Sequence, residues 1–214
     1  MSLNNRMLVA LPKGRLHDAA RSLLAKAGLP LSADVDGSRK LVLTEATGRF
    51  DFVALKPADI PVYVESGAID AGIVGSDVLR ELEADVYEPV DLRIGLCRLV
   101  LAAPEGRDFP PAGTLRIATK YPGTAERHFR AQRVHAHIVR LDGSVEIAPL
   151  LGLADGIIDL VETGRTLREN GMRVIEEISR VSAKLIVNRT AMKMKSAGVQ
   201  TLIAKLDAVV YENT

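Results

Sequence analysis

Cys97 is the single cysteine of this 214-residue chain. No internal disulfide can form, and with four scattered histidines there is no zinc-ligand spacing. Tryptophan is missing and aromatic residues make up only 4% of the chain, which argues against a base-stacking platform for nucleic acid. No charge sign dominates. The 28 basic and 27 acidic side chains leave a formal charge of +1, so no global polyanion-binding character exists. No apolar run approaches the length of a membrane span, and the stretch ahead of Lys13 and Arg15 is too short for a signal peptide. A cytoplasmic protein with neither a membrane nor a nucleic-acid partner is therefore expected. No G-x-G-x-x-G follows a strand, and the Walker A pattern is missing. No Ser–His–Asp or Cys–His arrangement can be argued from spacing. His135 and His137 alternate on one strand face without a third ligand nearby, and no metal-ligating residue is assigned.

The residues present are those of an ordinary globular protein, 47% hydrophobic and 26% charged, in a chain long enough for one large domain or two small ones. Strands are expected at Arg6–Leu11, Leu41–Thr44, Phe50–Leu55, Ala71–Val74 and Ile94–Ala102. Apolar spacing predicts a helix from Leu16 to Gly28, and Pro57 starts another running to Gly67. Ser76 is expected to cap a helix Asp77–Leu82. After the proline-rich break Pro104–Pro111, a second series follows. Its strands are Leu115–Thr119, His137–Leu141 and Ile157–Val161, and its helices lie near Thr124–Gln132, Val145–Leu151 and Thr166–Asn170. Val174–Val181 and Leu185–Val187 read as strands, and Thr190–Val210 as mostly helix. Alternation of strand and helix implies α/β layers with largely parallel sheets. Two such series imply two lobes, residues 1–93 plus 179–214 and residues 94–178, with a cleft between them. A single α/β sheet is the alternative. There is no internal repeat and no low-complexity segment.

The most informative stretch is 141–172, LDGSVEIAPLLGLADGIIDLVETGRTLRENGM. An apolar strand runs into Glu162-Thr163-Gly164-Arg165-Thr166 and then a helix. That order aims backbone N–H groups, two hydroxyls and a helix N-terminus at one point, where a phosphate fits. The plainer reading is a helix start capped by Thr163 or Thr166, with Glu169 completing a capping box. Asp159 interrupts the run Ile157–Val161, and a carboxylate there needs a partner or a ligand. Asp159 and Glu162 can hold sugar hydroxyls or Mg²⁺. Lys13-Gly14-Arg15 sits between strand and helix, where two cations flanking a glycine can clamp a polyphosphate; a solvated loop is the alternative. Arg39-Lys40 is a second such pair. Gly75-Ser76-Asp77 offers another helix start, or Asp77 acts on its own.

The run Glu146–Leu167, EIAPLLGLADGIIDLVETGRTL, resembles the signature of the ATP phosphoribosyltransferase family, which opens histidine biosynthesis. The stretches Leu11–Arg15, Asp59–Val64 and Gly72–Asp77 resemble the same family in the same order. The resemblance implies transfer of phosphoribosyl from phosphoribosyl pyrophosphate to N1 of the ATP adenine, with release of pyrophosphate and with Mg²⁺ carried by the substrate. It implies a fold like that of periplasmic binding proteins. It places the sugar donor on Asp159, Glu162, Thr163, Gly164, Arg165 and Thr166, with the 163–166 turn around the 5-phosphate. It makes Arg15 and Arg39 catalytic, assigns ATP and pyrophosphate charge also to Lys13 and Lys40, and adds Asp77 to the substrate contacts. The chain stops without the C-terminal histidine-binding domain of long family members. That resembles the short form, a homodimer within a hetero-oligomer whose second subunit is related to histidyl-tRNA synthetase. Lys56, where arginine is expected more often, is a small departure. A non-catalytic solute-binding protein and a different phosphosugar enzyme are the competing functions.

Overall fold

The structure is a computed structural model that describes residues 6–31, 42–45, 48–111 and 113–212. It divides into two compact units, Met1–Gly95 with Ser182–Thr214, and Leu96–Val181. Among the described residues, no helix is long and apolar enough to cross a membrane.

The first unit carries strands β1 (Met7–Pro12), β2 (Val42–Thr44), β3 (Phe50–Leu55), β4 (Ala71–Gly75), β5 (Tyr87–Asp91) and β11 (Ala183–Val187), in the order β2-β3-β1-β4-β11-β5. Helices α1 (His17–Lys26), α2 (Ile60–Glu65), α3 (Ser76–Leu82), α6 (Arg189–Met194) and α7 (Ser196–Glu212) complete it. The sheet is apolar on both faces because successive strand residues point to opposite sides. Met7, Val9 and Leu11 join a core with Leu24, Leu202 and Leu206, while Ala10 packs with Ile60, Val64 and Leu79 on the other face.

The second unit holds β6 (Cys97–Pro104), β7 (Leu115–Thr119), β8 (Ala136–Arg140), β9 (Gly156–Val161) and β10 (Met172–Val181), ordered β10-β6-β9-β7-β8. Its helices are α4 (Pro122–Ala131) and α5 (Arg165–Glu169). The same alternation divides its core. Leu99, Leu101, Ile117 and Ile158 pack on one face with Phe129 of α4. Val100, Ala118, Ile157 and Val161 pack on the other with Val145, Ala148 and Leu167.

Several expectations are corrected. The sheets are mixed rather than largely parallel: β1 pairs in parallel with β3 and β4, and β7 with β8 and β9, but the other ladders are antiparallel. Val145–Leu151 is not a helix. Only a 3₁₀ turn at Val145–Ile147 forms, because Pro149 lacks an N–H and its ring opposes the carbonyl four residues back. The helix expected from Pro57 begins at Ile60; Lys56 to Asp59 is a turn closed by Asp59 N–H to Lys56 O. Ser76 is the first residue of α3, not its cap; extended Gly75 takes the cap position, and the Ser76 hydroxyl accepts the Ser182 N–H. The strand expected from Ile94 starts at Cys97, and β5 was not anticipated.

Candidate active site

In the second unit β7, β8 and β9 run parallel, so Thr119, Arg140 and Val161 end on one rim. Ligands of open α/β sheets bind outside such carboxyl ends. The chain leaves β9 through Glu162 and Thr163, and Gly164 caps α5 at φ 73°, a left-handed conformation that glycine adopts at no steric cost. Neither Thr163 nor Thr166 caps the helix in the expected way. Thr163 Oγ1 only accepts the Arg165 N–H across a long 3.4 Å, and Thr166 lies inside α5. Glu169 closes no capping box, because it takes the Arg165 guanidinium at 2.7 Å instead. Arg168 Nη1 donates to Thr163 O, and buried Leu167 anchors the turn in the core. Glu162, Thr163, Arg165 and Thr166 are exposed, so the bend faces solvent with the first-turn N–H groups that every helix start leaves without intrahelical acceptors.

Asp159 lies on the sheet face of Ile157 and Val161, half-buried, with Oδ1 accepting the Leu160 N–H. Burial pushes its carboxyl up from the usual carboxylate range, and the Glu146 charge adds to this. The Leu160 N–H and the Lys120 ammonium work in the opposite direction. Arg116 braces the approach to β9: its backbone and guanidinium hold both Asp155 oxygens, and Nη1 donates to Gly152 O.

In the first unit β3, β1 and β4 are parallel neighbours, and their ends bring Lys56, Lys13 and Ser76 to a common rim. Lys13 N–H donates to Leu55 O, and Gly14, at φ 78°, lets the chain turn so that His17 N–H reaches Gly14 O. Lys13, Arg15 and Lys56 are exposed, and Arg15 Nη1 donates to Gly95 O across 3.4 Å. Asp77 belongs to the start of α3. It is buried in the first turn of α3 and folds back so closely over Gly75 that a Cβ there would collide with it. Arg39 and Lys40 lie outside the described residues.

Two positions escaped the sequence reading, and Lys56 entered it only as a departure from an expected arginine. Lys56 joins Lys13 through the β1–β3 register, a long-range fact. Lys120, just past the end of β7, comes near Asp159, on whose carboxyl its charge acts. Buried His17 has Nδ1 3.0 Å from Pro12 O, which requires Nδ1 to carry the proton and ties the end of β1 to α1. Only the strand–turn–helix order around it hinted at that role. Two open grooves of about 830 and 510 Å³, beside α4–β8 and beside α1, lie away from both rims and carry none of the expected site residues.

Residues 56–208 match the family model described as HisG, ATP phosphoribosyltransferase. An ATP phosphoribosyltransferase of Thermoanaerobacter sp. (strain X514) is 47% identical over 202 residues, covering 94% of this chain and 95% of that protein. The solved ATP phosphoribosyl transferase (HisG:HisZ) complex from Thermotoga maritima contains a chain 34% identical to this one. It superposes with a TM-score of 0.85 and covers 96% of this chain and 99% of that one. A mutant, arginine-bound ArgBP from T. maritima matches at TM-score 0.56 and 13% identity over 98% of this chain and 96% of its own, a likeness of fold alone.

Proposed function

This chain belongs to the ATP phosphoribosyltransferase family, and on that premise we propose that it is the catalytic subunit that joins N1 of the ATP adenine to C1 of phosphoribosyl pyrophosphate, releasing pyrophosphate. The observation that carries the reading at the level of the site is the exposed bend 163–166 at the carboxyl end of β9, with Gly164 left-handed and two hydroxyls beside first-turn N–H groups. The 5-phosphate of the sugar donor sits on this bend. Asp159 and Glu162 take the ribose hydroxyls.

Adenine N1 is a weak neutral nucleophile, so the difficult step is departure of the diphosphate. Negative charge grows on the leaving group while C1 becomes oxocarbenium-like. Cations held in place beforehand stabilise that charge as it develops. Lys13 and Arg15, with Arg39 and Lys40, serve this role and neutralise the ATP phosphates. Asp77, buried in the first turn of α3, completes the substrate contacts. Among the described residues no three His, Cys, Asp or Glu side chains gather as a dedicated metal cage. The Asp159–Glu162 pair suits Mg²⁺ that arrives on a diphosphate and needs only one or two protein carboxylates. Such a cation neutralises and orients the diphosphate.

The chain works in the cytoplasm as a homodimer within a hetero-oligomer, together with a subunit of the HisZ kind related to histidyl-tRNA synthetase. The HisG:HisZ assembly of the Thermotoga maritima relative supports this partner. The test is ultraviolet absorbance of phosphoribosyl-ATP in a mixture of the chain, ATP, Mg²⁺ and phosphoribosyl pyrophosphate, with and without the second subunit. Product and stoichiometric pyrophosphate are expected. No product in either mixture overturns the reading.

A further inference from the structure

The donor on the β9 bend is highly anionic, yet the second unit lines its rim with Glu146, Asp159 and Glu162. Its obvious cation, Arg165, is already paired with Glu169 at 2.7 Å. A second cation stands on that rim. Lys120 follows Thr119, the last residue of β7, and is exposed; no carboxylate pairs with its ammonium among the described residues.

Its placement follows from the strand register. Ala118 pairs with Ile157 and Thr119 with Ile158, the last pair of the β7–β9 ladder, so Lys120 leaves β7 at the point where β9 continues into Asp159. Ile157 and Asp159 share a face with Val145, Val161 and Leu167, and the Lys120 ammonium lies near enough to the Asp159 carboxyl for its charge to act on it. The backbone around Lys120 is fixed from both sides. The buried Thr119 hydroxyl donates to Ile158 O at 2.6 Å and accepts the Tyr121 N–H at 2.9 Å, while Thr119 O accepts the Leu141 N–H. These bonds fix the strand end from which the Lys120 side chain projects.

We propose that Lys120 is a donor-binding residue, its ammonium contacting the diphosphate of the phosphosugar donor whose ester phosphate occupies the 163–166 bend. Beside Asp159 and Glu146 it also offsets the repulsion that those carboxylates would exert on an incoming anion. The inference rests on the phosphoribosyl-transfer reading and adds a residue of the second unit to cations otherwise assigned to the first.

Calorimetric titration of the purified chain with phosphoribosyl pyrophosphate reads this contact without turnover. Lys120→Ala is expected to weaken donor binding by about tenfold or more, as loss of a charge-assisted hydrogen bond does. Lys120→Arg is expected to restore most of it. In steady-state assays of the complex, KM for the donor rises while KM for ATP stays within about twofold, a split that general damage to the fold would not give. Unchanged donor affinity in Lys120→Ala, equal loss for both substrates, or failure of Lys120→Arg to rescue overturns the assignment. The wild-type chain separates this from the parent reading. If wild type makes phosphoribosyl-ATP and Lys120→Ala binds donor normally, only Lys120 falls; if wild type neither binds donor nor turns over, the parent reading falls with it.

Discussion

Arg165 Nε donates to Glu169 Oε1 across 2.7 Å, one helical turn away, with both side chains largely exposed. The only basic side chain within the 163–166 bend is thus already partnered before any ligand arrives. Arg165→Ala is expected to change donor KM by less than about threefold, the scale of an exposed ion pair. Thr163→Val, which removes a hydroxyl engaged only by the Arg165 N–H across a long 3.4 Å, should raise donor KM more than Arg165→Ala does. Initial-rate measurements with donor as the varied substrate compare the two, and the reverse ranking would return the phosphate contact to Arg165.

Gly164→Ala tests whether the bend needs its left-handed residue. The added Cβ would meet Arg168 Nη1 at 3.1 Å, the movable end of a long side chain, so the cost comes from φ 73° rather than from space. Such a conformation costs an alanine roughly 1 kcal/mol. Urea denaturation should register that loss, and donor affinity should fall with it as the bend relaxes. Full stability together with full affinity would show that the turn tolerates another conformation.

Arg15→Ala should reduce kcat by about a hundredfold or more while KM changes little, since its charge counts most as pyrophosphate departs. Arg39→Ala is expected to behave in the same way. A variant whose whole defect lies in KM would leave the corresponding arginine as a ground-state contact only.

Acid should loosen the approach to β9 through Asp155. The Arg116 guanidinium beside Asp155 holds its carboxyl below the usual carboxylate value of 3.8. A carboxyl lowered by folding contributes stability above its unfolded value, and that contribution disappears as pH falls through the lower folded value. Thermal melts of wild type and Asp155→Asn should therefore differ at neutral pH and begin to converge as pH falls below about 3.8. A constant gap down to the most acid point would assign the difference to lost geometry rather than to charge.

At the opposite end of the first sheet, Asp70 Oδ2 accepts both the Leu8 N–H and the Lys195 ammonium, each at 2.8 Å. These groups sit where β1 and β4 begin, away from the carboxyl-end rim. Asp70→Ala should lower stability by about 1–2 kcal/mol, given the partial exposure of the pair. The kcat of the folded fraction should stay unchanged. A large loss of kcat at full occupancy of the folded state would tie this end to the chemistry.

Much of the molecule could be read from local pattern. Ile157–Val161 is an apolar run that forms a buried strand wherever it pairs, and Glu162-Thr163-Gly164 demands a turn that only glycine completes easily. Those features, with the density of the 146–167 motif, were enough for family and reaction class. Local pattern failed where neighbours far along the chain decide. Tyr87–Asp91, polar and carrying Pro89, is a strand only because β11 offers it an edge. Ser76 reads as a cap, yet its hydroxyl belongs to Ser182, 106 residues away.

The sequence by itself determined which segments must be buried, which turn can receive a phosphate, and to which family the chain belongs, because these depend on residue type and short spacing. Only the tertiary structure decided that most ladders run antiparallel, that Asp77 is inside, and that Lys56 and Lys120 stand at strand ends beside Lys13 and Asp159. Register is a relation between distant strands. A slip of one residue in β3 or β7 would carry Lys56 or Lys120 away from these neighbours, and nothing in the immediate neighbourhood of a lysine records which register wins.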